Sequence, residues 1–400
     1  MKDSIHQRHI RVAVSYFAMA ALLGVLLRSY PIFSFGFNYR YMVHAHSHIA
    51  LLGWVYVALT TIIHYCFMEK GASDKKYTRI FWFTQVSLVG MLLTFPFQGY
   101  ALFSIFFSTL FLIMSYVFFH YFSKNSDPKL RYGNGLRCIK AALWYMVISS
   151  LGPWALGIIM GTLGAQSIWY RMAIYFYLHF QYNGWMTLAL IGLFLFAMER
   201  LGTAIPQKSF MRFFWILNVG VVLTFFLSTL WAEPSPLLYV LAGIGAIAQG
   251  YSLFLLWTMT KNRIKTLSLS KLQVLLLKTT VLLVFIKITL QLLTALPYFA
   301  RIATIYPDLT IGYLHMTFLG MISIGLFFLV DYFRLFPISK RGFRWYFWGF
   351  LITEILIFYK GFAAWVQWPI FSGYVEILAL ASLSILCGLL LLMALNRNRT

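Results

Sequence analysis

The sequence predicts an all-α polytopic membrane protein, a bundle of twelve transmembrane helices forming a single integral-membrane domain over residues 1–400. Three observations predict it. First, 61% of the 400 residues are hydrophobic and only 10% are charged, whereas soluble domains carry about 25% charged residues. Second, apolar runs of the roughly 20 residues needed to cross a bilayer recur twelve times. Third, the cations are sorted: with the N-terminus in the cytoplasm, 25 of the 32 Lys and Arg fall on inner segments and 5 on outer ones. That asymmetry is the positive-inside signal, and it supports twelve crossings with both termini inside.

The runs follow in order. Run 1, 10–29, is preceded by MKDSIHQRHIR and imitates a signal peptide. It reads as an uncleaved first helix, because removing it would disturb an even, charge-consistent count. Run 2, 44–68, opens after Arg40 on the outer side and closes on Lys70, Lys75, Lys76 and Arg79 inside. Runs 3 and 4, 79–98 and 101–122, are separated by only Phe97-Gln98-Gly99-Tyr100. Lys124 to Lys140 return the chain inside before run 5, 138–161, and Arg171 marks the outer start of run 6, 169–197. Runs 7 and 8, 211–231 and 237–259, end on an inner basic loop from Lys261 to Lys271. Runs 9 and 10, 272–297 and 309–333, flank the outer Arg301. Runs 11 and 12, 344–361 and 371–395, flank Lys360 and finish on Arg397 and Arg399. No loop is long enough for a soluble domain, and no internal repeat is evident.

The net charge of +22 would suit a nucleic-acid partner if it lay on one face. Here it is distributed over short loops, so the expected partner is the lipid bilayer and not nucleic acid. Cys66, Cys138 and Cys387 form no paired spacing and imply neither disulfides nor a thiolate cluster. Tyr30, Tyr39, Tyr41, Trp169, Tyr170, Trp365 and Trp368 gather near run ends as interface anchors. This composition makes the protein an integral membrane protein, and its expected location is a bacterial cytoplasmic membrane.

Chemistry concentrates on three runs. Run 2 opens with His44-Ala45-His46-Ser47-His48, run 6 carries His179 and run 10 carries His315. All three are even-numbered and enter from the outer side. At 1.5 Å per residue, His48, His179 and His315 lie roughly 8, 15 and 9 Å deep. Ionisable groups at such depth are costly and usually face the bundle interior, and imidazole is a common ligand of haem iron, copper and zinc. His44 and His48, four apart, share a helix face, while His46 points away from both. His64 and His120 sit at inner run ends and read as interfacial; His6 and His9 read as part of the N-terminal tail. Lys287, with Gln291 one turn on, and Glu354 stand out among the other polar residues inside the runs. Each suits an ion pair or a functional role in proton delivery or anion contact. A non-haem site for copper, zinc or iron built from His44, His48, His179 and His315 is one reading of these residues. A transporter using histidines for proton coupling is another.

At these residues the chain resembles the haem–copper oxidase subunit I superfamily, which has twelve helices and metal-ligand histidines on helices 2, 6, 7 and 10. The helix-10 signature of two histidines two apart resembles Tyr313-Leu314-His315, with the second position kept and the first replaced by Tyr313. Leu319-Gly320-Met321-Ile322-Ser323-Ile324-Gly325 is similar to the small-residue run that follows it, and Tyr177-Leu178-His179-Phe180-Gln181-Tyr182 to the segment supplying a copper ligand. Run 7 contains no histidine, so the copper-ligand pair of the superfamily is missing. Within the superfamily, His46-Ser47-His48-Ile49-Ala50-Leu51-Leu52-Gly53-Trp54 and His315 followed by Gly320 resemble the NnrS-type haem and copper proteins of the nitric-oxide response. The resemblance implies a haem-binding redox protein in electron transfer or nitric oxide and oxygen chemistry. It would hold one bis-histidine haem b between helices 2 and 10. The axial ligands would be His46 or His48, the latter favoured by depth, and His315. His179 and Tyr313 would line a degenerate second metal site, with copper as its metal. An electron donor and a small gas ligand would be the partners.

Overall fold

A computed structural model describes residues 4–69, 71–202 and 205–397. Lys2, Lys70 and Arg399, counted above among the inner cations, lie outside the described residues, as does the side chain of Arg397. Twelve helices among the described residues are long and apolar enough to cross a membrane. They are α1 (Ile5–Ser29), α2 (Tyr39–Phe67), α3 (Ser73–Gln98), α4 (Leu102–Asn125), α5 (Asn134–Thr162), α6 (Ile168–Glu199), α7 (Gln207–Ala232), α8 (Pro236–Thr260), α9 (Lys271–Thr294), α10 (Pro307–Tyr332), α11 (Lys340–Trp365) and α12 (Tyr374–Asn396). No strand is present among the described residues; one isolated bridge joins Met68 to Ser126.

The boundaries differ from the apolar runs where capping and proline decide. The first helix begins at Ile5 and not near residue 10, because Ser4 and Gln7 form a capping box: Gln7 N–H donates to Ser4 Oγ at 3.2 Å and Ser4 N–H to Gln7 Oε1 at 2.9 Å. His6 and His9 are therefore buried helical residues, not a tail. The α9 helix stops at Thr294, short of Pro297, and Pro297–Ile305 forms a separate short helix before Pro307 opens α10. Each proline sits at a helix start, where its missing N–H costs nothing. In α5 the regular helix ends at Ser149 and resumes at Leu151; Pro153, with no N–H to offer, falls at the join.

The chain divides into two compact units. Unit 1 comprises Met1–Pro128 and Gly325–Thr400, and unit 2 comprises Lys129–Ile324, so the division falls inside α10. In unit 1, Phe17 stacks on Trp54 with centroids 4.8 Å apart, and Phe327 and Tyr346 complete the aromatic cluster at 5.1 Å from each other. Here α11 and α12 touch backbone to backbone: a Cβ on Gly388 would come within 2.4 Å of Tyr346 N. Small residues are how membrane helices approach this closely, since van der Waals packing drives their association. In unit 2, Glu199 at the end of α6 caps α5. Its carboxylate accepts from the Asn134 and Gly135 N–H groups at 2.6 and 3.3 Å, placing negative charge at a helix N-terminus.

The twelve helices are not equivalent in burial. The central windows of α2, α6 and α10 are 83, 83 and 72% buried, while the others range from 22 to 50%. The less buried helices present Phe97, Leu102, Ile158 and Phe285 outward, an apolar exterior suited to lipid. The helices bearing His44–His48, His179 and His315 are thus the three most buried, which is where polar side chains in a membrane belong.

Candidate functional site

The α2, α6 and α10 helices share one local device. Each is α-helical up to its histidine and turns π-helical at the next residue. The α-helical stretches end at His48, His179 and His315, and the π segments are Ile49–Tyr56, Phe180–Met186 and Met316–Ile322. Such segments make up well under 1% of residues in proteins and cluster at functional sites, so three in the same position relative to a histidine form a motif. The sequence carries it as His48…Gly53, His179…Gly184 and His315…Gly320, histidine and glycine five apart each time. In an i→i+5 register the fifth residue stacks over the first. A glycine there also lets a neighbour close in: a Cβ on Gly53 would lie 2.8 Å from Tyr16 Cβ of α1, and a Cβ on Gly184 would lie 2.5 Å from Tyr145 Cγ of α5. The sequence reading found no internal repeat; this short one is visible only when the three histidines are aligned.

The three histidines of α2 have different surroundings. His44 and His48 share a face, as their spacing requires, and both lie against Tyr100, at ring distances of 4.7 and 5.9 Å. The His48 ring stacks on Phe95 at 4.4 Å. Its Nδ1 bonds the His44 carbonyl at 2.8 Å and its Nε2 lies 3.3 Å from the Tyr100 hydroxyl. His46 turns instead to α1: its Nδ1 bonds the Ala20 carbonyl at 2.8 Å, and the ring passes 3.1 Å from where a Cβ on Gly24 would stand. No partner of its Nε2 is found among the described residues. A carbonyl only accepts, so Nδ1 of His46 and of His48 each carries the proton and each Nε2 keeps its lone pair. His315, half-buried in unit 2, repeats the arrangement, with Nδ1 bonded to the Ile311 carbonyl at 2.9 Å.

Unit 2 gathers His179, Lys287, Gln291 and Tyr313 around one residue the sequence reading did not single out, Asn183. Lys287 Nζ donates to Asn183 Oδ1 at 2.6 Å and to Gln291 Oε1 at 3.0 Å. Asn183 Nδ2 meets His179 Nδ1 at 3.2 Å, and His179 Nε2 meets the Val221 carbonyl at 2.8 Å. The protons follow from the ends of this chain. An ammonium has no acceptor, so the amide oxygen faces Lys287 and the amide nitrogen donates to His179 Nδ1. Nε2 then carries the proton and donates to Val221. Both ring nitrogens of His179 are thus engaged within the protein. An ion pair or an anion contact was expected for Lys287; its two hydrogen bonds go to amide oxygens, which solvate a cation without an opposite charge. Tyr182 lies between the parts, 5.7 Å from Lys287 Nζ and 6.2 Å, edge to face, from Tyr313. The Tyr313 hydroxyl is buried without a hydrogen bond of good geometry. Asn183 was legible only as the residue one turn after His179 on the same face.

Glu354, in unit 1, is 6% exposed and neither of its carboxyl oxygens has a hydrogen-bond partner. His64, taken as interfacial, is buried and bonded to His6. No family model matches the chain, and no curated protein matches it.

Proposed function

We propose that the protein is a haem-binding redox protein of a bacterial cytoplasmic membrane. In this reading both termini are cytoplasmic and the chain is a degenerate relative of the haem–copper oxidase subunit I superfamily. The ring geometry of its histidines supports it. His46, His48 and His315 each commit Nδ1–H to a backbone carbonyl, which fixes the ring and its tautomer as the outer partners of ligand histidines do. The onset of a π segment beside His48 and His315 supports it independently. His315 and one histidine of α2 would serve as axial ligands of haem b; pairing these two helices comes from the sequence resemblance.

Of the helix-2 candidates, the depth argument favoured His48, but His46 is the better prepared. Its Nε2 has no competing partner, whereas that of His48 faces the Tyr100 hydroxyl at 3.3 Å. A bound haem would supply a one-electron iron couple tuned by its axial ligands, burial and nearby charge. Within unit 2 the chain offers the buried cation Lys287. Two of its three N–H donors are used on amides, leaving one for an anionic group. In this reading His179, with both ring nitrogens engaged within unit 2, holds the network around Lys287 in place.

The test is optical. Purified protein should show a Soret band and sharp reduced bands of low-spin haem. His315→Ala and His46→Ala should each remove them, while His48→Ala should leave them. Metal content without a haem spectrum would overturn the proposal in favour of a non-haem site, and neither would favour a transporter.

A further inference from the structure

The end of unit 1 where α1 begins and α2 finishes carries a second group of ionisable side chains that the proposed haem site does not use. His6 of α1, His64 of α2 and Asp74 of α3 each offer a ligand atom, and these atoms lie within 4.8 Å of one another. His6 and His64 are 6 and 2% exposed. From this geometry we infer a binding site for a divalent first-row transition metal, with His6 Nε2, His64 Nδ1 and an Asp74 carboxylate oxygen as ligands.

The protons at the site are determined by its edges. The Tyr121 hydroxyl donates to the Ser73 carbonyl at 2.8 Å, so its oxygen can only accept from His64 Nε2, 3.2 Å away. His64 Nε2 therefore carries the proton and Nδ1 is a bare lone pair. This is an outer partner fixing the ligand tautomer, as metal-site histidines require. Without metal that lone pair accepts from His6 Nε2 at 2.8 Å. On metal binding the His6 proton moves from Nε2 to Nδ1 through exchange with water, and no net proton is released. Asp74 is ready for the same event: Oδ2 accepts from Gly71 N–H at 3.2 Å, while Oδ1 is buried with no partner. A second buried, unpartnered atom, His9 Nδ1, lies on the next turn of α1. Buried polar atoms without partners are rare and call for an unseen ion or water.

The movement needed is small. Two ligands at about 2.0–2.1 Å from a tetrahedral ion stand about 3.3 Å apart. The His6–His64 separation of 2.8 Å must open by about 0.5 Å, and Asp74 must close by at most about 1.5 Å, within reach of side-chain rotation. The rings are held for this: Tyr77 stacks on His64 at 3.9 Å, and His9 stacks on Phe81 at 3.5 Å. Two imidazoles and a carboxylate, with no sulfur, suit Zn²⁺, Fe²⁺ or Co²⁺. Three protein ligands leave a fourth position for water.

The experiment titrates tag-free, chelator-stripped full-length protein in detergent with Co²⁺, read by the d–d bands of tetrahedral cobalt. Zn²⁺ retained after desalting is measured by mass spectrometry. One equivalent is expected in the wild type and in His315→Ala. His64→Gln and the near-isosteric Asp74→Asn should bind at least tenfold more weakly. Zn²⁺ should raise the unfolding temperature of the wild type but not of Asp74→Asn. An unchanged equivalent in both variants, or no stoichiometric metal in the wild type, overturns the site. The haem spectrum of the same samples reports the other site separately.

Discussion

Asn183 is the hinge of the buried network in unit 2, and replacing it by leucine tests whether that network is held by the charge of Lys287. The substitution keeps the number and branching of side-chain heavy atoms but removes two bonds. Lys287 loses its shortest partner, at 2.6 Å, and keeps only Gln291. His179 Nδ1 loses its only donor, at 3.2 Å. A hydrogen bond to a charged group contributes about 1.5–3 kcal/mol net, and a neutral side-chain bond in a membrane protein about 0.6 kcal/mol. Asn183→Leu alone should therefore cost about 2–3.5 kcal/mol. In a Lys287→Met background the ammonium is gone, only the histidine bond remains to be lost, and the same change should cost about 0.6 kcal/mol. The difference, about 1.5–3 kcal/mol, is the coupling energy of the pair. The assay is equilibrium unfolding of the four proteins in mixed detergent micelles with rising denaturing detergent. Costs that agree within about 0.5 kcal/mol in the two backgrounds would refute the reasoning, because Lys287 would then be bearing its charge without help from Asn183.

Gly184→Ala and Gly53→Ala should each destabilise the protein by about 1–3 kcal/mol, although alanine is intrinsically the better helix former. The new methyls would stand 2.5 and 2.8 Å from tyrosine carbons, well inside the contact distance of about 3.5–4.0 Å; an unchanged or raised unfolding temperature would mean that the helices are not packed through these glycines. Glu354→Leu should leave stability unchanged or raise it by about 1 kcal/mol, since both carboxyl oxygens are buried without partners. A loss of similar size in the same unfolding assay would show that the carboxyl group is bonded after all.

The sequence by itself determined the number of crossings and which helices carry the chemistry. Hydropathy over about 20 residues is a local property with no competitor in a bilayer, because an unsatisfied backbone cannot be left in lipid. The runs at 44–68, 169–197 and 309–333 accordingly became α2, α6 and α10 with shifts of a few residues at their ends. The ends themselves were less legible where a single short-range contact decides them. The Ser4–Gln7 capping box moved His6 and His9 out of a presumed tail and into a buried helix. The spacing of His44 and His48 correctly put them on one face, yet it could not say that this face meets Phe95 and Tyr100 while His46 turns to Ala20. Those partners come from other segments of the chain, and ring orientation is set by whichever carbonyl or hydroxyl the fold brings within 3 Å or so. The same holds for Lys287, whose neighbours Asn183 and Gln291 lie 104 and 4 residues away. Distance along the chain is what hid Asn183. Only tertiary structure decides which polar groups meet inside a membrane, because there each buried donor must find its acceptor among the groups that packing happens to deliver.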